Sequence, residues 1–196
     1  MRTYLTRLRE ARESQAEEGF TLIELLVVLL ILGILLAIAI PTFLTVTKSA
    51  TNTAASSNLQ TALTGAETYY TTNNGSYSGI YAGTTVSNIT QEGTGLVYTT
   101  GGTASTKSGI ISLDYVNASN IVLAAWNGSD RCYAIAAEKT TSGVGGNVPT
   151  AVDTYYGWKS ETTSASCTAS TMAGTSGPSG TAGAAGAWQN TGGFPS

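Results

Sequence analysis

The sequence has no histidine, and only 11% of its residues are charged. Without imidazole the commonest general base is missing, and so is a common metal ligand. The acids Glu67, Glu92, Asp114, Asp130, Glu138, Asp153 and Glu161 are scattered and flank no recognisable nucleophile. No catalytic residue, no cofactor and no enzyme activity are therefore expected. Lys and Arg total 9 against 12 Asp and Glu, a net charge of −3. Binding phosphate needs clustered cations, so charge alone builds no nucleic-acid surface here. Cysteine is limited to Cys132 and Cys167, whose spacing fits no zinc pattern, and no metal site is expected. A calcium site drawing on Asp130 and Asp153 would need six or more oxygens, and no acidic loop supplies them.

What the chain does have is one long apolar run. From Phe20 to Ile40 only Thr21 and Glu24 are polar. As a helix this run is roughly 31 Å long, close to the hydrocarbon thickness of a bilayer. Apolar all round, it reads as a membrane helix; a buried core helix would need a larger soluble domain around it. Arg2, Arg7, Arg9 and Arg12 precede it, and only Lys48 follows before Lys107. The positive-inside rule then predicts a cytoplasmic N-terminus and an external C-terminal body. The leader arginines are balanced by Glu10, Glu13, Glu17 and Glu18, so the body carries the net negative charge. Glu24 is the anomaly, because a carboxylate costs a few kcal/mol in hydrocarbon. Near the interface it is tolerable, and the helix macrodipole favours it there.

Its context is Glu17-Glu18-Gly19-Phe20-Thr21-Leu22-Ile23-Glu24-Leu25-Leu26-Val27-Val28. This stretch closely resembles the class III signal of type IV prepilins. Gly33 and Pro41 also sit where that family commonly has a Gly and a Pro. The likeness covers about residues 17–70. It implies that a prepilin peptidase on the cytoplasmic face cuts after Gly19 and N-methylates Phe20. It further implies that Glu24, then the fifth residue, pairs with the N-terminal amine of a neighbouring subunit and sets the axial register of a filament. Two such charges at about 4 Å attract by about 4 kcal/mol at an effective dielectric near 20, and a misplaced subunit would leave the carboxylate buried and unpaired. A small residue before the cut suits an extended backbone entering a protease. An ordinary secretory signal is the rival reading, with Ala37-Ile38-Ala39 as its cleavage site. The length of the apolar run and Pro41 close behind count against it.

Beyond residue 40 the pattern changes. Pro41 removes a backbone donor and is expected to kink or loosen a helix that continues past it. Val46, Ala50, Ala54, Leu59, Ala62 or Leu63, Ala66 and Tyr69 or Tyr70 recur at helical spacing among Thr, Ser and Asn. Asn73-Asn74-Gly75 ends this stretch; a Thr/Ser-rich linker is the alternative. Strands are predicted over Ile110–Val116, Ile121–Trp126 and Arg131–Ala137, joined as a meander with an Asn127-Gly128 turn. Thr154–Lys159 is a fourth strand and Leu96–Thr100 a further edge. Cys132 and Cys167, placed outside the membrane, read as a disulfide worth about 4 kcal/mol of loop-closure entropy, with two free thiols as the alternative. The Ser/Thr/Gly/Ala-rich tail, ending in Trp188, Phe194 and Pro195, is expected to bury little, although its aromatic rings could dock. Sequons begin at Asn74, Asn88, Asn117 and Asn127 and carry little weight in so hydroxyl-rich a chain.

The expected organisation is a leader (1–19), a transmembrane and fibre-core helix (20–40), its amphipathic continuation (41–73), a β-rich head (74–163) and a tail (164–196). The fold class is α+β, a kinked N-terminal helix packed on an antiparallel sheet, which is the pilin fold the resemblance implies. The resemblance also implies partners: further copies in a helical filament, the prepilin peptidase, and an inner-membrane assembly platform with its ATPase. It places the chain in the membrane before assembly and on the cell surface after. A pseudopilin of type II secretion, or a competence pilin with DNA as a partner, uses the same machinery. A monomeric membrane-anchored adhesion module is the reading from another class. Phe20 as first mature residue points to the type IVa group, although the leader is longer than usual there, and the body is too large for the short Flp type.

Overall fold

A computed structural model describes residues 19–80, 88–89, 93–175, 177–178, 187–190 and 193–194. The leader arginines, Glu92 and Pro195 lie outside the described residues. The chain divides into two compact units, Met1–Thr45 and Val46–Ser196. One helix, α1 (Leu22–Thr72), contributes to both.

In the first unit every described residue is exposed, although nearly all are apolar. Leu22 is 87% and Phe43 70% exposed. By length and composition this helix is able to cross a membrane. It continues through Pro41 unbroken. Beside the missing proline donor, the Thr42 hydroxyl donates to the carbonyls of Ile38 and Ala39, at 3.1 and 2.9 Å.

In the second unit α1 buries Ala55, Leu59, Ala62, Gly65 and Ala66. The stripe expected from Val46, Ala50 and Ala54 is corrected here. Val46 is 68% exposed, Ala50 is exposed, and Ala55 rather than Ala54 reaches the core. Toward residue 46 the inward side is polar: Lys48 and Asn52 meet a turn of the head by charge and hydrogen bond instead of by packing. On the outer side, the hydroxyls of Thr53, Thr61, Thr64 and Thr68 each donate to the carbonyl four residues back. Each hydroxyl is thus satisfied within its own helix. The helix ends at Asn73-Asn74-Gly75, with φ of 54° at Asn74 and 72° at Gly75, and the Gly75 N–H closes on the Tyr70 carbonyl at 2.9 Å.

The sheet has five strands in chain order: β1 (Val97–Thr100), β2 (Ile110–Asn117), β3 (Asn120–Trp126), β4 (Arg131–Glu138) and β5 (Asp153–Ser160). The meander β2–β5 is antiparallel as expected, whereas edge strand β1 runs parallel to β2, so the sheet is mixed. Both faces are covered. Ile111, Leu113, Ile121, Leu123, Ala125, Tyr133 and Ile135 share one core with Leu59 and Ala62 of α1. Val122, Ala124, Trp126, Ala134 and Ala136 face the other way, onto the C-terminal segment.

That segment overturns the expectation of a tail that buries little. The Cys132–Cys167 disulfide, with Cα atoms 5.3 Å apart, fixes its start to β4. A short helix, α2 (Ala169–Ala173), is capped by the Thr168 side chain, which accepts from Thr171 N–H. Ala169 and Met172 are fully buried, and Trp188 is 4% exposed. The composition misled because alanine and glycine bury as readily as leucine where a sheet face is already lined with alanine. Gly157 illustrates this: a Cβ there would stand 2.9 Å from Pro178 Cγ and 3.2 Å from Trp188 Cδ2.

Candidate processing and assembly site

Gly19 and Phe20 lie just ahead of α1, exposed and outside any regular element. A Cβ built on Gly19 meets nothing within 4 Å, and its φ is not positive. Nothing in the chain's own described fold therefore requires glycine there. Phe20 is 85% exposed.

Thr21 and Glu24 start the helix together. The Thr21 N–H and hydroxyl both donate to Glu24 Oε2 at 2.8 Å, and Glu24 N–H returns a bond to Thr21 Oγ1 at 3.3 Å. The Thr21 carbonyl accepts the first helical bond, from Leu25 N–H. This is a capping box, in which side chains at the first and fourth positions satisfy orphan backbone donors. The pattern Thr-x-x-Glu ahead of an apolar run was legible in the sequence, and Thr21 is the residue that reading of the motif passed over. Two consequences follow from the geometry. Both Thr21 bonds fall on Oε2, leaving Oε1 outside the cap. The cap also uses nothing N-terminal to Thr21, so a cut between Gly19 and Phe20 leaves it whole.

Gly33 lies on the exposed side of α1, and a Cβ there would also meet nothing. A glycine inside a helix costs about 1 kcal/mol against alanine, so its place is not explained by the chain's own described contacts.

Other described acids are engaged within the second unit. Asp130 pairs with Lys48 Nζ at 2.6 Å and accepts from Asn127 and Ser129. Hydrogen bonding to Lys48, with help from Asn127 and Ser129, holds its carboxyl down at about 2 against burial. Asp153 accepts from Thr154 N–H and the Asn190 amide, each at 2.7 Å, which lowers its pKa. These two aspartates sit at opposite ends of the β4–β5 pair. Among the described residues no three acids, cysteines or histidines converge as a metal site would require. Glu138 is buried, with Oε1 accepting from Val144 N–H at 2.9 Å and Oε2 without a hydrogen bond. Burial pushes its pKa up, against the Val144 bond. The Asn127 sequon is closed: Asn127 is 2% exposed and its amide donates to Asn52 Oδ1 at 2.7 Å.

No curated protein and no solved structure matches the chain. Over residues 15–40 the chain carries the prokaryotic N-terminal methylation motif, the class III signal hallmark of type IV pilins and prepilins.

Proposed function

We propose that this chain is a structural subunit of a type IV pilus or pilus-like filament. In this reading a prepilin peptidase cuts after Gly19 and methylates the new N-terminus at Phe20. The first half of α1 then anchors the subunit in the membrane, N-terminus inward, until an assembly platform and its ATPase move it into a helical filament. There the same helix surface faces neighbouring copies instead of lipid. The observation that carries the reading is the methylation motif at residues 15–40, whose described part is an apolar helix start with every residue exposed. A helix with that surface is stable only when lipid or other helices cover it. Gly19, unneeded by the described fold, fits a residue kept for a protease that reads extended backbone. Glu24 fits its role because the cap occupies Oε2 and leaves Oε1 for an incoming amine.

The test is the mature N-terminus. Mass spectrometry of protein from a host with the peptidase is expected to find chains beginning at Phe20 and bearing one methyl group. Gly19→Leu is expected to accumulate the uncut precursor. A mature chain beginning at Ile40 would return the reading to an ordinary secretory signal, and normal processing of Gly19→Leu would move the cut elsewhere.

A further inference from the structure

β5 is an edge strand of eight residues, rich in β-favouring side chains. Such an edge presents unpaired N–H and C=O groups to any strand that approaches. The opposite edge, β1, is only four residues long, and shortness is itself a protection. β5 lacks that protection, and a different device stands beside it.

Tyr156 turns both backbone groups outward, and Gln189 takes both. Tyr156 N–H donates to the Gln189 carbonyl at 2.7 Å, and Gln189 N–H donates to the Tyr156 carbonyl at 2.9 Å. Two residues earlier the outward N–H of Thr154 is taken by Asp153 Oδ1, and Asp153 Oδ2 receives the Asn190 amide, each at 2.7 Å. Aromatic anchors lie on either side of this seam. Trp188 is buried on the α2 face, over Gly157. Phe194 lies on the α1 face, edge-on to Tyr133 and Tyr156 with ring centroids 5.2 and 5.3 Å apart. Between them the Gln189 side chain donates to the Gly193 carbonyl at 2.8 Å. The segment therefore straddles β5: one ring on each face, and hydrogen bonds in the plane of the sheet.

We propose that Trp188, Gln189, Asn190 and Phe194 form an edge clip, which keeps β5 from pairing with the β5 of a second copy of this chain. A clip need not satisfy the whole strand. One bridge at the middle, held by a ring on each face, blocks the register that antiparallel pairing of two identical strands would use. The partner denied is another copy, because β5 is self-complementary in that arrangement: Lys159 of one copy comes toward Asp153 of the other.

The test uses the full chain in detergent micelles, mixing light and isotope-labelled protein and adding a carbodiimide that joins lysine to carboxylate. In the wild type, slow exchange of the Tyr156 amide and no link from Lys159 of one copy to Asp153 of another are expected. Gln189→Pro removes the in-plane donor, and Phe194→Ser removes one anchor. With both changes, Tyr156 exchange is expected to rise at least tenfold at low protein concentration, and Lys159-to-Asp153 links between light and heavy chains to appear as concentration rises, where pairing slows that exchange again. Unchanged exchange at low concentration, or faster exchange there with no intermolecular links at high concentration, would overturn the proposal. So would loss of the folded head, read by circular dichroism and by how readily the Cys132–Cys167 disulfide is reduced, because a guard is dispensable to the sheet it guards. Phe194→Ser alone is expected to give a smaller change of the same kind, and no change from it would remove the anchor from the argument.

Discussion

Glu138 is the residue whose chemistry sits least easily with its surroundings. It is buried on the α2 side of the sheet, and only one of its oxygens is bonded. Its raised pKa means that the folded protein holds this proton more tightly than the unfolded chain. Stability from this group is therefore full at acid pH and declines as pH rises past the ordinary glutamate value. Glu138→Gln keeps an acceptor for Val144 N–H and removes the buried charge. It is expected to raise stability at pH 7 by about 1–2 kcal/mol, with the gain vanishing near pH 4, as read by urea unfolding at both pH values. Asp130 has the opposite sign. Its contribution is complete above the ordinary aspartate value of 3.8 and is lost as pH falls through about 2. Lys48 and Asp130 are 53% and 39% exposed, so screening holds their pair below about 1 kcal/mol. Lys48→Met is expected to cost that much at pH 7 and nothing measurable at pH 2, in unfolding curves of the same protein.

Among the elements, α1 meets the loop ahead of β1 closely at Gly65. A Cβ there would stand 2.6 Å from the Thr94 methyl. Gly65→Leu is expected to lower stability by about 1–3 kcal/mol through overpacking, while Gly33→Ala, in open space, should leave the head's melting temperature unchanged; thermal unfolding separates the two. The strand positions were legible because β3 and β4 are apolar runs set off by Asn-rich turns. Their second cover was signalled too, and missed: Ile121-Val122-Leu123-Ala124-Ala125-Trp126 is continuous, not alternating, and a continuous run buries both faces. The alternating polar residues a half-exposed sheet needs are absent from β3, whose seven residues are all buried. The offset of the α1 stripe was harder to see. Alanine stands on both sides of the helix, and only the position of the Asn127–Asp130 turn decides that Lys48 and Asn52, not Val46 and Ala50, face the head. The parallel pairing of β1 left no mark, since its short run reads alike in either direction.

For the whole molecule, Glu24 joins the capping box it forms with Thr21 to the register role proposed for it, and one substitution would confuse the two. Glu24→Ala removes both the capping box and the charge; Glu24→Gln keeps an oxygen for Thr21 and removes only the charge. If register depends on the charge, both variants are processed and neither yields normal filaments in sheared fractions under the electron microscope. If the cap alone matters, Glu24→Gln assembles like the wild type and only Glu24→Ala fails. The motif region marked the proposed cut and the acid beyond it, because Gly19 and Glu24 stand close together in one recognisable stretch; the structure adds that Glu24 is exposed and caps the helix with Thr21. The head's contribution was not, since the tail that closes it is built from residues that look alike in exposed and packed chains. One property of α1 bears on any such filament. The threonines along its outer side carry their own acceptors, so their hydroxyl protons are already committed and add no hold on an adjoining rod. Any lengthwise grip between such rods would then fall to Glu24 and to side-chain packing, not to this row of hydroxyls.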